Sequence, residues 1–414
     1  MGAIAIVGVL IQITASVHGY RYWQLVAGKL INSISMGIAC NVVPTYQSEL
    51  APAKWRGAII NLYQAVQIIG VVIATAVVYS LSTKDSTMAW QIPVGLQFVA
   101  PFILLVGVTW MPESPRWLVW QGRTEEARDV LHRLHGEDPN YSATAEVEAL
   151  VAAFDEEKAI RAPSLLDVFK GTDLRRTMIS VGVQCLQQAQ GSSYMTNYIV
   201  LFLISLGMTN VFQVVMILYC LYLAAILFSF ILPDYFGRRP MLIWGAAVCA
   251  ACLTIVSALN VGISPATDSS QKAGLAMIFI WYFVFGLVWS PLTWITSTEV
   301  CSARVREPTL TLATFSGFGV GLIITFVSPY IQDAQYGNLG GSIGFIWAAF
   351  TWISIPFVYF LIPEFKGLSL ERIDYLFEHK VATRQFQSYQ GGMDEENVPT
   401  VSHSGSFDKA DADK

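Results

Sequence analysis

The feature that most constrains this chain is the recurrence of apolar runs of about 20 residues, separated by short polar stretches. Hydrophobic residues make up 54% of the sequence and charged residues 13%. A soluble fold cannot solvate that much apolar surface, whereas bilayer-spanning helices can. Ten spans are expected, at about 2–17, 22–46, 57–80, 90–111, 174–206, 211–232, 239–262, 273–297, 305–331 and 340–362. The first has neither a basic start nor a cleavage-like end and does not read as a signal peptide. The net charge of −5 argues against a nucleic-acid partner.

The charged punctuation between the spans repeats. Pro44-Thr45-Tyr46-Gln47-Ser48-Glu49 follows one span and leads to Arg56, and Thr298-Glu299 follows another and leads to Arg306. In both copies the arginine comes seven residues after the carboxylate. Such a half-molecule repeat is expected of a transporter built from two like-oriented helix bundles. In the second half, Asp234-Tyr235-Phe236-Gly237-Arg238-Arg239 begins 65 residues ahead of Glu299. The same interval ahead of Glu49 falls about 16 residues before Met1. The expectation is therefore a first bundle short of its opening helices.

Four parts follow from this pattern: a four-span bundle (1–111), a polar helical insert (112–173), a six-span bundle (174–363) and a polar end (364–414). In the insert, Glu125, Glu126, Arg128, Asp129 and Arg133 alternate with Ala127, Val130, Leu131 and Leu134, as in an amphipathic helix. A second, acidic helix is expected at about 142–161. Residues beyond about 381 read as a disordered tail. The loops at 46–57, 233–240 and 299–308, the insert (with Arg175 and Arg176) and the C-terminal segment together hold 21 of the 25 Lys and Arg, so the expectation is that they lie on the cytoplasmic side. None of the six cysteines invites a disulfide, and Cys249-Ala250-Ala251-Cys252 falls inside an apolar helix, where small residues ease packing.

Several motifs in order resemble the sugar porter family of the major facilitator superfamily, from residue 1 to about 380. They are Pro112-Glu113-Ser114-Pro115-Arg116-Trp117-Leu118, Asp234…Gly237-Arg238-Arg239, the two Glu…Arg repeats, and Pro363-Glu364-Phe365-Lys366-Gly367. The family usually has Thr where Phe365 stands. It has twelve spans, so the resemblance implies that the ten here are its third to twelfth. It further implies an all-α integral membrane fold and alternating-access carriage of a carbohydrate, a hexose or a di- or oligosaccharide. A proton partner, the plasma membrane and no cofactor complete the expectation.

Glu49, Arg56, Glu113, Arg116, Asp234, Arg238, Arg239, Glu299 and Arg306 all fall at inner ends of spans. Their alternating signs suit ion pairs between the two bundles, pairs that hold the inner side closed and break when it opens. Amides can donate to and accept from sugar hydroxyls. Gln64, Gln187 and Gln188 match the family's sugar-contacting glutamines, and Trp294 its sugar-packing tryptophan. Ser193 stands where the family commonly has Asn, and Gly317-Phe318 where many hexose carriers have Asn-Trp, which suggests room for a larger ligand. Polar helix–helix contact is the competing role for the glutamines. Lys29 matches the arginine that family symporters pair with an acid on their first span, and it is the coupling candidate.

Two other readings use the same fold, a non-transporting sugar receptor and an inactive truncated carrier. A membrane enzyme finds no support. His18, His132, His135, His379 and His403 stand apart from any carboxylate or cysteine within the membrane, leaving neither a nucleophile–base pair nor a metal cluster.

Overall fold

In the computed structural model the chain is helical throughout the described residues, which are 1–15, 21–50, 56–82, 87–135, 142–159, 167–205, 210–262, 267–302, 304–333, 335–368 and 370–389. The first bundle contains α1 (Gly2–Thr14), α2 (Tyr22–Leu50), α3 (Arg56–Leu81), α4 (Met88–Leu96) and α5 (Val99–Gly107). The insert supplies α6 (Pro115–Trp120), α7 (Thr124–His135) and α8 (Ala143–Ala159). The second bundle runs through α9 (Gly171–Gln187), α10 (Ser193–Ser205), α11 (Val211–Phe228), α12 (Leu232–Phe236) and α13 (Arg238–Gly262). It continues with α14 (Asp268–Leu287), α15 (Trp289–Val300), α16 (Arg306–Gln332) and α17 (Gly344–Leu361), and α18 (Leu370–Glu378) follows it.

Every expected span corresponds to a helix or a coaxial pair. Seven stretches among the described residues are long and apolar enough to cross a membrane. The remaining three expected spans are the 13-residue α1, the 29-residue α2 and the pair α9–α10. Polar side chains explain why the last two read weakly: α2 carries Gln24, Lys29 and Asn32, and α9 opens with Asp173, Arg175 and Arg176.

Proline and glycine set the breaks. The span at 88–107 is interrupted after Pro93 and Gly95, and α4 and α5 meet there. Pro291 lacks an amide proton and crowds the carbonyl four residues before it. That carbonyl belongs to Leu287, where α14 ends, and Val288 leaves the helical path at φ −115°, ψ −73°. In the first bundle α1 crosses α2 at Gly8 and Gly28, where a Cβ on Gly28 would lie 2.8 Å from the Gly8 carbonyl oxygen. Small residues are what allow helices in lipid to approach so closely.

The main apolar core lies in the second bundle and takes in Ala65 and Ile68 from α3, so α3 joins the two halves. The insert has a small core of its own: Leu118 and Val119 of α6, Ala127 and Leu131 of α7, and Ala143 and Val147 of α8. The expected amphipathic pattern of α7 is thus satisfied locally. Ser114 caps α6, its hydroxyl accepting from the Trp117 amide at 3.4 Å.

The tail departs from expectation. Val381 and Phe386 are buried, and Phe386 meets Phe377 and Phe365 edge to face. Packed structure extends to Tyr389, and residues 390–414 lie outside the described residues. Phe365 replaces a polar threonine of the family and supplies one wall of this aromatic cluster. Phe386→Ala should cost about 3–5 kcal/mol, the range for emptying a buried phenylalanine site. The expected readout is faster protease cleavage after residue 378, with the core of the second bundle still protected.

Candidate functional site

The sequence-predicted amides converge where α3 meets the second bundle. Gln64 Nε2 donates to Ser290 Oγ at 3.0 Å. Gln187 Nε2 lies 3.3 Å from both the Trp289 and Ser290 carbonyl oxygens. Gln188 Nε2 donates to Gln187 Oε1 at 3.3 Å, and the Ser193 hydroxyl donates to Gln188 Oε1. Trp294 follows Ser290 by four residues on α15, and so shares its face. Gln64, Gln187, Gln188 and Ser193 thus belong to one polar cluster, with Trp294 on the helix that bounds it.

A local irregularity makes the cluster possible. In an α-helix, residues five apart point about 140° away from each other. Between α9 and α10 the helix widens into a π-turn over Gln188–Ser192, with Gly191 at φ 96°. Ser193 consequently reaches Gln188, and the Ser192 hydroxyl reaches the Gln187 carbonyl at 2.8 Å. Such bulges recur at functional sites. Beyond it, Asn197 Nδ2 donates to the Ser193 carbonyl at 2.8 Å, and the Tyr198 hydroxyl to the Thr325 carbonyl at 2.8 Å, tying α10 to α16.

The other glutamines of this segment behave differently. Gln190 is fully buried, and neither end of its amide has a hydrogen-bond partner. Gln184 is buried, with Nε2 unpartnered. The expected room at Gly317 is taken up, because a Cβ there would sit 3.2 Å from Gln184 Cβ. Gly317 serves close packing of α16 on α9, and Phe318 is half exposed.

Ser290 is the residue that sequence reasoning passes over. A lone serine before a proline in an apolar helix carries no pattern, yet its hydroxyl and carbonyl receive both Gln64 and Gln187. A second cross-bundle bond lies one turn away, where Asn61 Nδ2 donates to Ser229 Oγ at 3.1 Å. Asn61 Oδ1 is buried without a partner.

The charged residues at the inner ends form a network whose described part lies within the second bundle. Arg238 Nη2 pairs with Glu299 Oε1 at 3.3 Å. Glu364 accepts from the backbone amides of Arg238 and Arg239, each at 3.0 Å, so a carboxylate caps α13. Gly237, at φ 88°, permits this approach, since a Cβ there would lie 2.7 Å from Glu364 Oε2. Arg239 Nη2 donates to the Tyr359 carbonyl at 2.7 Å and stacks over that ring. Arg176, buried on α9, pairs with Asp374 of α18 and lies over Phe377. The side chains of Glu49, Arg56 and Asp234 lie outside the described residues. Glu113 and Arg116 are exposed at the start of the insert, and Arg306 is half-buried at the start of α16. Next to it, burial pushes the Cys301 thiol up to about 12, which keeps it protonated. Lys29 is exposed on α2, with no carboxylate partner among the described residues. No group of His, Cys, Asp and Glu among the described residues could hold a metal ion.

The family described as "Sugar (and other) transporter" matches residues 1–377. The chain is 32% identical to the high glucose sensor RGT2 of Saccharomyces cerevisiae, over 85% of this chain and 47% of that protein. It is 29% identical to the hexose transporter HXT10 of the same yeast, over 91% of this chain and 69% of the relative. With the probable glucose transporter rco-3 of Neurospora crassa the identity is 30%, over 94% and 67%. The chain therefore spans about half the length of the sensor and about two thirds of these carriers. Among solved structures it resembles the proton:xylose symporter XylE bound to 6-bromo-6-deoxy-D-glucose, with a TM-score of 0.74 and 22% identity over 91% of this chain and 82% of that one. The inward-open XylE of E. coli gives 0.71 and 19%, over 91% and 81%. The two-bundle architecture is accordingly the major facilitator fold.

Gly191→Ala should destabilise the π-turn by about 1–3 kcal/mol, because a side chain is forced into the left-handed region. Its Cβ would also crowd Trp347 Cβ at 3.1 Å. A lowered melting temperature of the purified protein checks this, whereas Ala189→Gly beside it should have a smaller effect.

Proposed function

Because the chain belongs to the sugar (and other) transporter family, we propose that it carries a sugar across its membrane by alternating access. The observation that supports this most directly is the meeting of amides from both bundles on one residue, Ser290, Gln64 donating to its hydroxyl and Gln187 to its carbonyl oxygen. A cavity lined this way suits a neutral polyol, since each amide offers a donor and an acceptor at fixed positions. Gln64, Gln187, Gln188 and Ser193 hydrogen-bond the sugar, and Trp294 packs on its apolar face. The substrate is a hexose or a di- or oligosaccharide.

The charged inner ends act as the latch. Arg238, Glu299 and Glu364 brace the inner end of the second bundle. Glu49, Arg56, Glu113, Arg116, Asp234, Arg239 and Arg306 complete the closure of the inner side. Breaking this set when the cavity opens inward gives the two-state element that alternating access needs. The insert, α18 and the tail are cytoplasmic, and the membrane is the plasma membrane. Transport is coupled to a proton, with Lys29 as the charged group in the membrane that responds to it.

The sensor relative favours a second reading, a sugar receptor that binds without net flux. Uptake of labelled sugar into proteoliposomes separates the two. Sealed vesicles should fill in a carrier, and only binding stoichiometry should appear in a receptor. Gln187→Ala and Trp294→Ala should each lower the uptake rate at least about tenfold, the loss of one to two good contacts in a desolvated site. In the same vesicles, Lys29→Ala should abolish the acceleration of uptake by an inward proton gradient. Unchanged pH dependence would remove Lys29 from coupling.

A further inference from the structure

We propose that the Ser290 hydroxyl is an internal stand-in for a sugar hydroxyl, holding the Gln64 amide in the empty protein until sugar displaces it. The inference rests on the sugar-binding reading and adds a competitor to that site. Gln64 Nε2 reaches across from the first bundle to Ser290 Oγ at 3.0 Å. Ser290 is 1% exposed, so its hydroxyl is held within the packed second bundle. Its carbonyl accepts from Gln187, the amide that faces Gln64 across the site.

The chemistry is an exchange of like for like. A serine hydroxyl and a sugar hydroxyl each accept one hydrogen bond from an amide and donate another. A buried amide left without a partner is costly, more so within a bilayer. With Ser290 present, the empty site closes with Gln64 Nε2 satisfied. When sugar arrives, Gln64 trades one hydroxyl for another, and part of the gain from the new contact is lost in breaking the old one. Asn61 shows the contrast: its amide group is bonded to Ser229, but its carbonyl oxygen has no partner.

Two consequences follow, with a sign that a plain sugar contact would not give. Removing the competitor tightens sugar binding, whereas removing a contact weakens it. The empty protein, deprived of its surrogate, changes sides more slowly. Net uptake requires that empty step, but sugar-for-sugar exchange does not.

The experiment measures equilibrium binding of D-glucose, D-xylose and maltose to purified protein in lipid nanodiscs. The variants are wild type, Ser290→Ala, Gln64→Ala and the double variant, with melting temperatures as the folding control. For whichever of these sugars binds the wild type, Ser290→Ala should tighten binding by about two- to tenfold, the worth of one net hydrogen bond. In the Gln64→Ala background the same change should have no effect. In proteoliposomes, Ser290→Ala should lower net uptake relative to exchange. If Ser290→Ala does not fold, Ser290→Cys, whose thiol is a weaker acceptor, should shift affinity in the same direction. Weaker or unchanged binding in the folded variant overturns this inference and leaves the sugar reading standing. Failure of the wild type to bind all three sugars overturns the sugar reading, and this inference with it.

Discussion

The hydrogen bond between Gln64 and Ser290 joins the two bundles at a serine that is almost fully buried. Burying a polar side chain is costly unless a partner inside the protein satisfies it. That requirement organises the centre of this molecule. The π-turn at Gln188–Ser192 brings Ser193 to Gln188, and the break at Val288 starts the helix that carries Ser290 and Trp294. Both departures from regular helix are set by residues suited to them, Gly191 and Pro291.

A different economy governs the inner face. There the partners are charges: among the described residues Arg238 pairs with Glu299 within the second bundle, and Arg176 with Asp374 ties that bundle to α18. Aromatic rings add to the arginines, with Phe377 beneath Arg175 and Arg176 and Tyr359 beneath Arg239 and Arg384. Two hydrogen bonds between the bundles among the described residues are neutral amide–hydroxyl bonds, Gln64 to Ser290 and Asn61 to Ser229. Neutral bonds incur less desolvation than ion pairs when they form, and less is lost when they separate.

The spans and the amphipathic α7 were legible in the sequence because each rests on a local rule, whereas the breaks within the spans at 88–107, 174–206 and 273–297 were not expected. Gln64, Gln187 and Gln188 were legible too, their amides being conspicuous among apolar neighbours. Ser290 was not, since serine is common in membrane helices and its importance arises from Gln64, 226 residues away in the chain. The role of Gly317 was misjudged for a related reason: absence of a side chain reads as space until the neighbouring helix is seen to fill it. The packed tail was hidden by composition, where Phe386 sits among polar residues and draws its meaning from Phe365 and Phe377.

The cap on α13 has a consequence for biosynthesis. Its first amides, on Arg238 and Arg239, are satisfied by Glu364, which lies 126 and 125 residues further along the chain. At roughly 5–20 residues per second, the ribosome delivers that carboxylate about 6–25 s after the first residues of α13. During this interval the first turn of α13 waits with its amides open to water, and the turn at Gly237 has nothing to close upon. The second bundle therefore cannot reach its final form helix by helix in order of synthesis. It is sealed from its last span backward, and the residues that follow α17 act as the closing stitch.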